Sequence, residues 1–258
     1  MSEQTSAIVS KVWALCNPLR DDGVSYGDYL EQLTYLIFLK MSNEYSQPPY
    51  KRETGIPVGY AWSDMNGLTG AELENQYKTT LEKLGEQPGI LGQIFKGAIN
   101  KINNVAILYR VVQMIDKEKW VAMSSDVKGE IYEGLLQKNA EDIKSGAGQY
   151  FTPRPLIRAM VECLRPEPGK TIADPCCVSG GFFLVAQTFL ADPENYSLDR
   201  GQKEFLKNET FHGNEIVPAT FKTALMNLYL HNIGDIYGEI PITLGDALLS
   251  DPGYRVDY

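Results

Sequence analysis

With 258 residues, 43% of them hydrophobic and 22% charged, the chain can hold one large domain or two smaller ones, and it is too apolar for global disorder. The net charge of −9 is shared by both halves, with 15 Lys/Arg against 19 Asp/Glu in residues 1–147 and 9 against 14 in residues 148–258. That balance excludes a module that grips DNA phosphates unaided.

Residues 1–147 read as a helical domain for partner or DNA contact. In SYGDYLEQLTYLIFLKMSNEY, Tyr29, Leu33, Leu36, Ile37 and Met41 recur at three- and four-residue spacing, which predicts one buried helix face. Residues Ser46 to Gly70 are rich in Pro, Gly and Tyr and predict a loop with a short element near Tyr60-Ala61-Trp62. Further helices are expected at Gly70–Leu84, Gly89–Ile102, Val105–Lys117 and Ser125–Asn139. Trp13, Trp62 and Trp120 read as packing residues, with Trp62 a candidate contact point in its loop.

From Gly148 the grammar changes. Thr152 as N-cap and Pro153 as the first helical residue would start a helix running to Leu164. Lys170–Asp174 reads as a strand and Gly181–Leu190 as a helix; a polar insertion spans Asp192 to Thr210. Phe211–Glu215 reads as a second strand, Pro218–His231 as a helix and Ile242–Leu248 as a third strand. Strand–helix alternation predicts a parallel sheet covered on both faces, with its ligand at the carboxyl ends of the strands. Asp174, Glu215 and Asp246 fall at those ends.

Each carboxylate has a plain structural reading, as a cap, a solvated strand end or a turn former. Together they suggest a ligand. Glu215 could accept from both hydroxyls of a ribose, and Asp246 from the exocyclic amine of an adenine. The turn at Gly180-Gly181, ahead of a helix, would admit a carboxylate to the helix N-terminus. Residues 176–181 read Cys-Cys-Val-Ser-Gly-Gly, which lacks the glycine spacing that holds a dinucleotide pyrophosphate, and no phosphate-loop Lys follows. A nicotinamide-dependent oxidoreductase is therefore disfavoured. A cofactor with adenosine and an amino acid but no phosphates fits better, namely S-adenosylmethionine.

No apolar run reaches the length of a membrane span, and MSEQTSAIVSKVW lacks an export signal. Cys16, Cys163, Cys176 and Cys177 show no metal-like spacing, so a reduced, cytoplasmic chain without membrane contact is expected. His212 and His231 have no metal-like spacing either and read as structural.

The segments GQYFTPRPLIRAMVECL, IADPCCVSGGFFL, FHGNE and LGDALLSD, in that order and spacing, resemble the modification subunit of type I restriction-modification systems. The first half, with YLEQLTYLIFLKMSNEY and VKGEIYEGLLQKNAEDIKSGAGQYFTPR, resembles that family's N-terminal helical domain. The resemblance implies a helical domain (1–147) followed by the first part of a Rossmann-like methyltransferase domain (148–258). It implies methyl transfer from S-adenosylmethionine to N6 of adenine in a specific DNA sequence. Tyr150, Phe151, Thr152 and Pro153 would line the methionine side of the cofactor. Asp174 and the following turn, with Pro175, Ser179, Gly180 and Gly181, would cradle its amino and carboxylate groups. Glu215 would hold the ribose, and Asp246 the adenine, flanked by Ala247 or Leu248. The implied partners are a DNA-specificity subunit, an endonuclease subunit, a second modification subunit and double-stranded DNA within the complex.

Two departures from the family pattern stand out. Val178 replaces a turn glycine, and if that position needs positive φ the strain is about 1–3 kcal/mol. No Asn-Pro-Pro-Phe/Tyr motif occurs, and in the family that motif presents the flipped adenine. No catalytic residue is therefore assigned, and the chain alone is expected not to methylate. A truncated sheet with an unpaired strand edge is expected as well. The alternative is a non-catalytic assembly piece with a degraded cofactor loop.

Overall fold

The computed structural model describes residue 14 and residues 26–121, 152–249, 251 and 253–258. The chain divides into two compact units, 1–150 and 151–258.

The described part of the first unit is helical: α1 (Tyr26–Ser46), α2 (Trp62–Met65), α3 (Gly70–Gly85), α4 (Gly89–Phe95) and α5 (Val105–Asp116). Leu33, Leu36, Ile37 and Met41 are buried, as the spacing predicts, while the Tyr29 side chain lies outside the described residues. Gln32, Tyr35, Phe38, Leu39 and Ser42 are buried too, so α1 is enclosed on more than one face. Phe95 stacks on Tyr35 with ring centroids 5.0 Å apart and meets Phe38 edge-on at 5.5 Å. Helix α4 stops at Phe95 instead of reaching Ile102, because Lys96 leaves the helical region with ψ 116° and Gly97 takes φ 68°. Asn104 caps α5 by accepting from the amides of Ala106 and Ile107. Trp62, a candidate contact point by sequence, is buried, and its indole donates to Asp116. The expected helix at Ser125–Asn139 lies outside the described residues.

In the second unit, α6 (Arg154–Leu164) precedes β1 (Ile172–Asp174), α7 (Gly181–Ala191), α8 (Arg200–Asn208), β2 (Phe211–Glu215), α9 (Pro218–Leu230) and β3 (Ile242–Leu244). The sheet is parallel, in the order β1-β2-β3, with Asp174 level with Gly213 and Glu215 level with Leu244. Helix α7 packs against α6 and α8, and α9 against β2 and β3. Under α7, Phe183 meets Phe211 at 5.2 Å. A Cβ on Gly213 would come within 3.0 Å of Phe183 and 3.2 Å of Cys177 Sγ, so glycine sets the depth of this contact.

Three expectations need correction. The N-cap of α6 is Pro153, not Thr152; Arg154 is its first residue and Pro155 its second, where a missing N–H costs nothing. Strand β3 ends at Leu244 instead of Leu248, because Asp246 folds back on the amide of Leu248. The polar insertion contains α8, opened by a capping box in which Asp199 and Gln202 bond each other's backbone amides.

The outer edge of β1 is also occupied. Ala173 N donates to the Tyr258 carbonyl at 3.0 Å and Tyr258 N to the Thr171 carbonyl at 3.1 Å, the two bonds of a parallel pair around Ile172. Asp257 fixes this register by accepting from Thr171 N, Thr171 Oγ1 and Lys170 Nζ. Chain order therefore reverses at β1, with β2 on one side and residues 257–258 on the other. Such a reversal opens a crevice above the carboxyl end of the strand.

Candidate functional site

The loop from Asp174 to Gly181 leaves β1 at that crevice and enters α7. Asp174 Oδ1 accepts from Cys176 N at 3.0 Å, which bends the chain off the strand. Burial raises the pKa of the Asp174 carboxyl above its ordinary value, and the Cys176 amide only partly offsets this. Cys177 N donates to the Asn214 carbonyl on β2 at 3.0 Å, tying the loop to the next strand. Gly180 N returns to the Cys177 carbonyl at 2.7 Å, closing a four-residue turn with Val178 in its second position. Val178 has φ 49°, a left-handed conformation that a β-branched side chain adopts only under strain. The sequence left this angle open, and the structure places Val178 on the strained side. Gly180, with φ 77°, is the N-cap of α7, where a Cβ would touch Leu228 at 3.4 Å.

Cys177 is buried, and burial, followed by the nearby charges of Asp174 and Glu215, raises its pKa far above the ordinary thiol value. That holds it as an unreactive thiol.

The two other strand-end carboxylates repeat one local pattern. Glu215 Oε1 accepts from Val217 N at 2.7 Å and Asp246 Oδ1 from Leu248 N at 2.8 Å, each two residues on, as Asp174 does. Glu215 is 6% exposed, Asp246 is half-buried, and Ala247 lies beside it in the turn. Among the described residues no Lys or Arg pairs with any of the three. Carboxylates anchored locally and without a cation among the described residues suit a ligand with hydroxyl, amine or ammonium donors. The chemistry of this donor set, with the turn at a helix N-terminus, fits an adenosyl amino acid.

Pro175 is exposed, Ser179 is 2% exposed, and Gly180 and Gly181 are buried at the start of α7. Thr152 is half-buried and Pro153 exposed, immediately before α6. Tyr150 and Phe151 lie outside the described residues. Sequence reading missed two side chains that touch the turn: Arg154 Nη1 donates to the Gly181 carbonyl and Asn227 Nδ2 to the Ser179 carbonyl, both at 3.0 Å. The available signal was polarity at buried positions, since Arg154 shares a helix face with Ile157 and Val161, and Asn227 interrupts an apolar run.

Comparison with known proteins is consistent with this architecture. Residues 8–115 match the HsdM N-terminal domain, and residues 123–256, more than half of the chain, match the N-6 DNA Methylase family. The EcoKI methylase subunit of a type I restriction enzyme from Escherichia coli K12 is 39% identical over 95% of this chain. The StySPI methylase subunit from Salmonella potsdam is 38% identical over the same share. This chain spans about half the length of these relatives, 47% in both cases. A solved modification subunit from Vibrio vulnificus superposes with a TM-score of 0.76 at 25% identity, over 96% of this chain and 56% of its own. The Streptococcus thermophilus type I methyltransferase subunit shares the fold, with a TM-score of 0.71 at 15% identity, over 97% of this chain and 60% of its own. A helical N-terminal region followed by part of a methyltransferase domain on a small parallel sheet is the architecture of a modification subunit, and the chain belongs to the N-6 DNA Methylase family.

Proposed function

We propose that the chain is the cofactor-binding portion of a type I modification subunit and holds S-adenosylmethionine at the carboxyl end of its sheet. The observation that carries this reading is the set of three strand-end carboxylates, each held by the amide two residues on and none paired with a described cation. Asp174 would take the ammonium of the methionine moiety, Glu215 the ribose hydroxyls and Asp246 the adenine amine, beside Ala247. The turn amides and the N-terminus of α7, around Ser179, Gly180 and Gly181, would receive the carboxylate. Thr152 and Pro153, with Tyr150 and Phe151 before them, would close the methionine side.

When bound, the cofactor supplies an electrophilic methyl on sulfur. The residues of this chain orient it and exclude water around it, and orientation accounts for much of the rate in such transfers. The 258 residues contain no Asn-Pro-Pro motif, so we assign them cofactor binding and not presentation of the base. In this reading the target is N6 of adenine in double-stranded DNA. A DNA-specificity subunit, an endonuclease subunit and a second modification subunit complete the assembly, and the acidic balance of the chain leaves sequence reading to a partner.

The left-handed Val178 favours a second reading, an assembly piece whose cofactor turn has lost function. Calorimetric titration with S-adenosylmethionine separates the two. Micromolar binding that disappears in Asp174→Ala supports the first reading; binding only in Val178→Gly supports the second. Absence of heat in every variant would refute cofactor binding by these residues.

A further inference from the structure

The geometry points to Asn227 and Arg154 as positioning residues that clamp the 177–181 turn from two separate helices and hold Val178 in its left-handed conformation. Strained backbone persists only where its surroundings over-determine it. The turn meets that condition from three sides. Strand β2 holds Cys177 N through the Asn214 carbonyl, α9 holds the Ser179 carbonyl through Asn227, and α6 holds the Gly181 carbonyl through Arg154. The two side-chain contacts fall on alternate carbonyls of the segment that follows Val178.

Asn227 is fully buried, between Met226 and Leu228, which are buried as well. Its Oδ1 has no hydrogen-bond partner among the described residues. A buried amide left half-satisfied costs stability relative to an apolar side chain of similar shape. Its donor contact to Ser179 supplies the reason for an amide at this point of the helix. Arg154 is 8% exposed and sits one residue after Thr152-Pro153, so its bond also sets the start of α6 against the entry of α7. A turn held from both helices presents its amides in one arrangement before ligand arrives, which lowers the ordering cost of binding. The ligand part of this inference rests on the proposed cofactor reading; the clamp itself does not.

The test is a double-mutant cycle read by amide exchange. Asn227→Leu and Arg154→Lys are each made in the parent chain and in a Val178→Gly background, without ligand. In the parent, either substitution should speed exchange at the Cys177 and Gly180 amides by about tenfold, and in the Val178→Gly background by less than about threefold. A purely structural Asn227 would give the opposite pattern, since Leu removes a half-satisfied amide and should leave protection in the turn unchanged. Equal acceleration in both backgrounds would overturn the proposal, as would none at all. General loss of protection in β2 and α9, alike in both backgrounds, would assign the residues to the core and overturn it too. Affinity for S-adenosylmethionine, measured on the same chains, should follow the same coupling. If the exchange pattern holds while no chain binds the cofactor, the clamp stands and the cofactor reading fails.

Discussion

Two sets of polar side chains, one in each unit, are held in different ways. In the helical unit, Asp116 and Gln32 have partners distant in sequence. Asp116 accepts from Lys40, Trp62 and Asn66 at 2.8, 2.8 and 2.9 Å, and Gln32 links Tyr77, Ile99 and the Lys101 amide. In the sheet unit, Asp174, Glu215 and Asp246 take the amide two residues along the chain. Long-range pairing joins helices to one another. Local anchoring fixes a carboxylate while leaving its charge without a described cation. Asp192 and Asp235, away from the strand ends, take the amide two residues on in the same way. It is therefore the strand-end position together with the local anchor that marks the site, and the contrast can be attacked from either side.

The largest effect belongs to the scaffold. A Cβ at Gly92 would lie 1.8 Å from the Gln87 carbonyl, a backbone atom that cannot step aside. Gly92→Ala should destabilise the helical unit by about 3 kcal/mol, visible as a lower melting temperature. The sheet unit's affinity for ligand, measured on the folded fraction, should be unchanged.

Next comes Asp116→Ala, which removes three hydrogen bonds to a partly buried carboxylate and should cost roughly 2–3 kcal/mol in denaturant unfolding. Burial works against ionisation of Asp116, but the bonds from Lys40, Trp62 and Asn66 outweigh it and hold the carboxyl below its ordinary value of 3.8. A depressed folded pKa means that the contribution is present above the unfolded value and is lost as pH falls through the folded one. The parent should therefore lose this increment in acid, and Asp116→Ala should show a correspondingly flatter acid limb.

Asp174 should respond in a different pH window. Burial raises its pKa above 3.8, so protonation begins at a higher pH than for an exposed aspartate. Binding of a ligand ammonium requires the charged form. Affinity for S-adenosylmethionine should then fall as pH is lowered through the raised pKa, and Asp174→Asn should remove that dependence. Titration at a series of pH values checks both statements.

The smallest effect is a gain. Val178→Gly relieves left-handed strain of about 1–3 kcal/mol and gives back about 0.5–1 kcal/mol through the greater chain entropy of glycine. A net stabilisation of about 1 kcal/mol is expected. A loss of stability would mean that the Val178 side chain packs more favourably than its backbone is strained.

Much of this fold was legible because its signals are local. Helical spacing marked Leu33, Leu36, Ile37 and Met41, and the Gly180-Gly181 pair marked the entry of α7. What escaped depended on contacts far apart in sequence or on one dihedral angle. Helix α8 hid in a polar stretch because only Leu206 of its residues is buried, leaving a weak apolar stripe. The start of α6 shifted by one residue because two prolines compete for the same helix entry. Val178 could be flagged as unusual, but its φ depends on what Asn214, Asn227 and Arg154 do around it. The expected unpaired strand edge does not fall on β1, because residues 257–258 return to it over more than eighty residues of chain.

The most direct test of the central claim is an amide-exchange footprint of the intact chain with and without S-adenosylmethionine. New protection is expected at the 174–181 turn, at 215–217 and around 246–248, with the helical unit unchanged. Protection confined to any other surface, or none at saturating cofactor, would contradict that claim.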